Sequence, residues 1–299
     1  MSGAILEKRN KIAFVTINNP EKANVLNDEV MTELGDIWKE VWEDGDIRAA
    51  IITGKGDRHF CAGHDLAPKP NQTEDERRRE AVERIFWASG ELGYGSRKPS
   101  GSTVNEYNTG VDGRSAAHFP QIWKPVIGAI NGWAAGAGFY MMLTTTDIRI
   151  ASKENARFQY MLMNQGWLGS GPGAARLPRQ ISHVDSMKIL LMDEPFDADE
   201  ALEMRLINEV VPHDKLMERA EEMATRITKL APVAVRMMKE FLIRGRDLPI
   251  DSAWQMSHLM QHLVAQLTTD PEEGRNAFNE KRERNFTGGL RVPGNTDGV

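Results

Sequence analysis

Few side chains able to handle protons lie in the glycine-bearing motifs of this sequence. His64 sits in Phe60-Cys-Ala-Gly-His-Asp-Leu66, and an imidazole titrates near neutrality, at about 6.5 when unperturbed. It reads either as a proton carrier or as a residue packed beside a ligand. Tyr140 follows Gly136-Ala-Gly138 by two positions. A neutral phenol, with a reference pKa of about 10, donates hydrogen bonds but is a poor base near neutrality. Gln159, Tyr160, Asn164 and Gln165 make the stretch after Phe158 polar, which suits a held water or a polar ligand group. Glu106, Asp112 and His118 lie in a long stretch of little periodicity. They could bring a carboxylate or base from a covering loop, or simply be solvated. Cys61 is the single cysteine, so no intrachain disulfide forms, and a structural zinc site would need His or carboxylate ligands instead; none is expected.

The elements that must position these groups read as repeated β/α units. Lys11–Ile17 and Ala49–Thr53 are short and rich in Val and Ile, as strands are. Between them Val30, Leu34, Ile37, Trp38 and Val41 recur at helical spacing over Asp28–Glu43. Thr73-Glu-Asp-Glu opens a further helix, with Val82, Ile85 and Phe86 able to pack inward, and Ser89–Phe119 then loses periodicity. Pro125–Thr146 reads as strand, turn and helix, and Asp147–Ala151 as the next strand. Within it, Val126–Leu143 is almost uncharged but is broken by Gly128, Gly132, Gly136 and Gly138. That favours a buried strand and helix over a membrane span. The same segment is superficially like a dinucleotide-binding turn, yet the third glycine of that fingerprint is absent after Gly136-Ala-Gly138. Beyond about Glu200 the chain turns helical. Leu216, Ala220, Met223, Ile227 and Leu230 line one helix, Pro232 opens a second, and Asp270-Pro-Glu-Glu273 opens a third.

At 299 residues, 40% of them hydrophobic and 27% charged, the chain can bury a substantial core. Its net charge of −6 comes with no dominant basic block. Bulk positive charge therefore cannot drive binding to nucleic acid or to an anionic membrane. The first residues are too polar for a secretory signal, and the lone cysteine fits a reducing, cytoplasmic setting.

Four landmarks in order resemble the crotonase (enoyl-CoA hydratase/isomerase) superfamily. They are Asn19-Pro-Glu-Lys-Ala-Asn-Val-Leu-Asn27; Phe60–Leu66; Lys124-Pro-Val-Ile-Gly-Ala-Ile-Asn-Gly132 with Gly136-Ala-Gly138; and Phe158 through Gly173 to Pro178. The closing Phe278–Phe286 is similar to the family's C-terminal helix, whereas Gln72–Gln121 is longer than this region usually is. The resemblance implies an α/β fold, a spiral of ββα units over residues 1–205 carrying an insertion at about 72–121. A C-terminal helical region, 206–299, would serve assembly into homotrimers or hexamers that are dimers of trimers.

The same resemblance implies a lyase of fatty-acid metabolism acting on acyl-CoA, with coenzyme A as part of the substrate and no separate cofactor. In that family two backbone amides grip the thioester oxygen as it becomes an enolate, worth on the order of 3 kcal/mol per donor. They map here onto Ala62 and Ala137. Lys22, Ala23, Val25, Asp65 and Leu66 would flank the coenzyme, joined by Phe278 and Lys281, which a neighbouring subunit could contribute. The departure lies at the two glutamates that hydratases use on water and proton, because Tyr140 and Leu162 occupy those positions. Straight-chain hydration is therefore expected to be slow. Decarboxylation, thioester hydrolysis, isomerisation or coenzyme binding without turnover stand as alternatives.

Overall fold

The computed structural model describes residues 3–66, 73–76, 78, 122–168 and 172–291. Among the described residues ten strands form two sheets. The larger runs β1 (Ala4–Arg9), β2 (Ile12–Ile17), β3 (Ala49–Gly54), β5 (Val126–Ile130), β7 (Ile148–Ser152) and β10 (Glu209–Val211). Only its β1–β2 pair is antiparallel. The smaller runs β4 (His59–Cys61), β6 (Trp133–Ala135), β8 (Arg157–Gln159) and β9 (Phe196–Asp197), parallel except at β8–β9.

Successive strands therefore alternate between sheets: β3 then β4, β5 then β6, β7 then β8. This is the expected spiral of ββα turns. The segment Pro125–Thr146 holds two strands before its helix rather than one. The second was hidden because Trp133-Ala-Ala135 is short and carries no β-branched residue.

Alternation along the strands explains why the larger sheet is buried on both faces. Ala13, Val15 and Ile17, with Ala50 and Ile52, join one core, while Ile12, Phe14, Ala49 and Ile51 join another. The first core is closed by α1 (Asp28–Glu43), which buries Val30, Leu34, Ile37, Trp38 and Val41. Its start is fixed by Asn27, whose side chain accepts from the Val30 amide at 2.8 Å. The helix following β6, α2 (Ala137–Thr145), is buried at all nine residues. This accounts for the apolar run, and among the described residues no helix is long and apolar enough to cross a membrane.

Short helices α3 (Pro172–Arg176), α4 (His183–Met192) and α5 (Ala198–Glu203) follow. Next come α6 (Leu216–Thr228), α7 (Pro232–Arg244), α8 (Ile250–Leu267) and α9 (Asp270–Glu280). Residue 205 is not a clean boundary. Past it, β10 pairs with β7, and Leu216, Ala220 and Ala224 of α6 close the second core. By contrast α8 buries only Ala253 and Val264, and leaves Ile250, Trp254 and Leu259 largely exposed.

Candidate active site

Two loops meet where β4 and β6 end. The first begins at a single helical turn, Pro20–Lys22, after which Ala23 and Asn24 take left-handed conformations with φ of 56° and 54°. Asparagine tolerates that region, and Asn24 is held there by its own side chain. Its oxygen accepts from the Asn19 amide at 3.0 Å, and its nitrogen donates to the carbonyls of Lys55 (3.0 Å) and His59 (2.7 Å). Asn131 donates to the same His59 carbonyl at 3.2 Å, and also to the carbonyls of Gly54 and Gly56. Two buried asparagines thus tie the first loop and the β5–β6 connection to the start of β4.

The second loop is Ala62–Leu66. Leu26 and His64 form a parallel bridge in which the Leu26 amide donates to Gly63 and the Asp65 amide to Leu26, at 2.8 and 3.2 Å. In that pattern the N–H of His64 points away from Leu26. The Ala62 amide donates to the Ala23 carbonyl at 3.1 Å. This corrects the expectation for residue 62: its hydrogen joins the two loops and is not offered to a ligand. The cause is the left-handed turn at Ala23, which swings that carbonyl across the gap.

The amide end of α2 lies against this loop. A Cβ added at Gly63 would stand 3.1 Å from both the Ala135 carbonyl and the Ala137 nitrogen. At Gly138 it would meet the Cys61 carbonyl at 2.1 Å, so only glycine lets the helix approach β4 this closely. Gly136 takes the unusual backbone (φ 53°, ψ −125°) and Ala137 is not among the positive-φ residues, so alanine fits there unstrained. As the first residue of α2, Ala137 has no carbonyl four residues back within the helix for its N–H, and it sits at the positive end of the dipole. Burial pushes the Cys61 thiol up to about 12, with the Gly63 amide acting against it. Cys61 is therefore packing, not a nucleophile.

One turn into α2, the Tyr140 hydroxyl lies 2.6 Å from that of Tyr160, and Tyr160 lies 2.6 Å from the Leu168 carbonyl. Both rings are buried and meet edge to face at 5.4 Å. Burial first, then the bond to Tyr160, hold the Tyr140 phenol well above its ordinary value, so it is no base. Leu162 packs partly buried against the first core. Gln159 and Asn164 are occupied elsewhere, each side-chain amide donating to the Asp193 carbonyl at 2.8 and 2.9 Å. Gln165 is exposed.

Asp193 is the residue that sequence reading missed. Its buried carboxylate accepts from the amides of Met161 and Asn164 and so fixes the turn that carries Leu162. Nothing in Leu-Met-Asp-Glu announces that role.

The structure brings together Ala23, Ala62, His64 and Asp65, with Lys22 and Val25 in the same first loop. Lys22, His64 and Leu66 are exposed, and the others just named are partly so. Phe278 is 73% exposed, and Lys281 stands at the C-cap of α9. Among the described residues no hydrogen bond or ion pair links Lys281 to this cluster. Glu106, Asp112 and His118 lie outside the described residues, as do Val82, Ile85, Phe86 and the whole of Ser89–Phe119. No group of three or more potential metal ligands occurs among the described residues.

A profile of the family described as Enoyl-CoA hydratase/isomerase matches residues 7–89 and 82–289. The (E)-benzylidenesuccinyl-CoA hydratase of Thauera aromatica is 34% identical over 283 residues, which is 95% of this chain and 98% of that one. The short-chain-enoyl-CoA hydratase of Clostridium acetobutylicum is 32% identical, covering 95% and 97%. Among solved structures, an enoyl-CoA hydratase from Bacillus anthracis superposes with a TM-score of 0.76 at 28% identity, over 96% of this chain and 99% of that one.

Proposed function

The chain belongs to the enoyl-CoA hydratase/isomerase family, and from that premise we propose that it adds water across, or removes it to form, the 2,3-double bond of an acyl-CoA. The observation that carries this reading is the approach of the Gly63 loop to the Ala137 nitrogen. When water attacks C3, the π electrons move onto the thioester oxygen. Two fixed N–H donors stabilise that charge by on the order of 3 kcal/mol each. Ala137 supplies one. The Gly63–His64 loop seated against Ala137 supplies the other in place of Ala62.

Coenzyme A lies along Lys22, Ala23, Val25, Asp65 and Leu66, and needs no further cofactor. Phe278 and Lys281 complete its site from a neighbouring subunit. The exposed apolar residues of α8 support such a neighbour, in a homotrimer or a dimer of trimers.

Tyr140 and Leu162 offer no base at the acyl end. The Thauera relative is named for a succinyl-type acyl group, which keeps a free carboxyl when the other is a thioester. A carboxylate on the acyl group of this chain's substrate would take the proton from water as the oxygen bonds to C3. The same carboxylate then returns a proton to C2, completing the addition.

The test compares crotonyl-CoA with 2-enoyl thioesters that carry an added carboxyl group, followed by loss of the conjugated absorbance. The substituted series should turn over at least about 100-fold faster, the scale of one general base. Crotonyl-CoA hydration at about 10 s⁻¹ or more, an ordinary enzymatic rate, would remove the claim about the missing carboxylates. Release of carbon dioxide or of free coenzyme A would replace hydration by decarboxylation or hydrolysis. Binding without turnover would leave a coenzyme-binding protein.

A further inference from the structure

Helix α8 carries two histidines that the candidate active site does not use. Its buried residues, Ala253 and Val264, mark the side that faces the protein. His258 and His262 are exposed and, at about 3.6 residues per turn, stand roughly opposite them. Four residues apart, they are neighbours on one face. Their ring centres lie 4.4 Å apart, with the planes tilted by 50°.

The tautomer of one ring follows from its backbone contact. His262 Nδ1 lies 2.9 Å from the His258 carbonyl, which can only accept, so Nδ1 carries the hydrogen. The neutral ring then presents a lone pair at Nε2. Metal-bound histidines adopt this arrangement, with one ring nitrogen donating to a carbonyl and the other left as the ligand. The spacing points the same way. Imidazoles bind a divalent ion at about 2.0–2.1 Å, so two of them at a right angle stand about 4.5 Å apart between ring centres. A tetrahedral angle would open that separation beyond about 5 Å. The observed spacing therefore suits a tetragonal ion, the preference of Cu²⁺ and Ni²⁺.

We propose that His258 and His262 form a surface site for one divalent transition ion per chain, Cu²⁺ or Ni²⁺ ahead of Zn²⁺. The two imidazoles are its protein ligands, and water fills the remaining positions, unlike a closed structural site. Mg²⁺ and Ca²⁺ take oxygen ligands and do not suit this donor set. No residue of the candidate active site takes part, so the metal site is independent of the hydratase reading. Trp254, 69% exposed, stands one turn before His258 on the same helix. A bound Cu²⁺ quenches the fluorescence of an indole so close, which gives the site its own readout.

The test titrates the full chain, stripped by a chelator, with Cu²⁺, Ni²⁺, Zn²⁺ and Mg²⁺ in a calorimeter. Uptake of one ion per chain is expected, tightest for Cu²⁺ and undetectable for Mg²⁺. Chelation makes the second metal–nitrogen bond intramolecular, so His258→Gln and His262→Gln should each weaken binding about 100-fold. Quenching by equimolar Cu²⁺ should disappear in either histidine variant and shrink in Trp254→Phe. Electron paramagnetic resonance of the copper-loaded wild type should show splitting from two imidazole nitrogens. No uptake by the wild type overturns the proposal. So do affinities in both histidine variants within about twofold of wild type, which would put the ion on other residues. Half an ion per chain would place it between two copies, and tighter binding of Zn²⁺ than of Ni²⁺ would remove the tetragonal assignment; either overturns the site as drawn. Should a variant lose helix by circular dichroism, the nitrogen count in the wild type decides, and any number other than two overturns it.

Discussion

The two ends of the site are built by different means. At the end we assign to the thioester, the groups proposed to hold it are main-chain amides, placed by β4, by the start of α2 and by two asparagines that share the His59 carbonyl. At the end we assign to the acyl group they are side chains: Tyr140 on α2, bonded to Tyr160, and Leu162 on the turn that Asp193 holds. Backbone geometry survives most replacements, because the hydrogen-bonded frame fixes it. The character of a side chain changes with one codon. A fold built this way keeps its grip on one ligand class while the reaction at the far end is free to vary.

Breaking the thioester end should cost most. Gly138→Val places atoms inside contact distance of the Cys61 carbonyl, and α2 must then leave β4. We expect a loss above about 3 kcal/mol in denaturant unfolding, together with turnover below detection. Asn24→Ala removes both donations from the side chain and the acceptor of the Asn19 amide. A loss of about 2–3 kcal/mol should be read the same way, with coenzyme binding weakened in parallel.

At the acyl end the expected effects are smaller and of another kind. Leu162→Ala should shift kcat/KM between large and small acyl groups by about tenfold, while affinity for free coenzyme A stays within about twofold. A loss of coenzyme binding there would erase the distinction between the two ends. The smallest effect lies away from both. Arg282, with help from the Asn285 amide, holds the Glu273 carboxyl down at about 2, below its usual value. Because the folded value is the lower one, this contribution is complete above the ordinary carboxylate range and disappears as pH falls through about 2. Hydrogen exchange in residues 282–291 should therefore rise only in that acid window, and Glu273→Gln should show the faster exchange at neutral pH.

Much of the frame was legible in the sequence. The bounds of α1 follow from the Asn27 cap and the spacing of Val30 through Val41. The start of α9 follows from Asp270 and Pro271. What could not be read depends on contacts between distant segments. Whether the Ala62 amide is offered to a ligand is decided by the carbonyl of Ala23, which local pattern does not place. Asp193 is separated from the amides it fastens by about thirty residues of chain, and it looks like any polar residue after a helix.

Direct pairing of β3 with β5 and of β4 with β6 closes both ladders across the stretch of chain between Cys61 and Val126. Lengthening such a stretch costs little, about 0.6 kcal/mol for each doubling. Ala62–Leu66 on one side, bound to Ala23 and Leu26, and the buried Ile122, Trp123 and Lys124 on the other are anchored to the frame. Positions 67–121, between those anchors, are therefore the natural port for grafting foreign sequence.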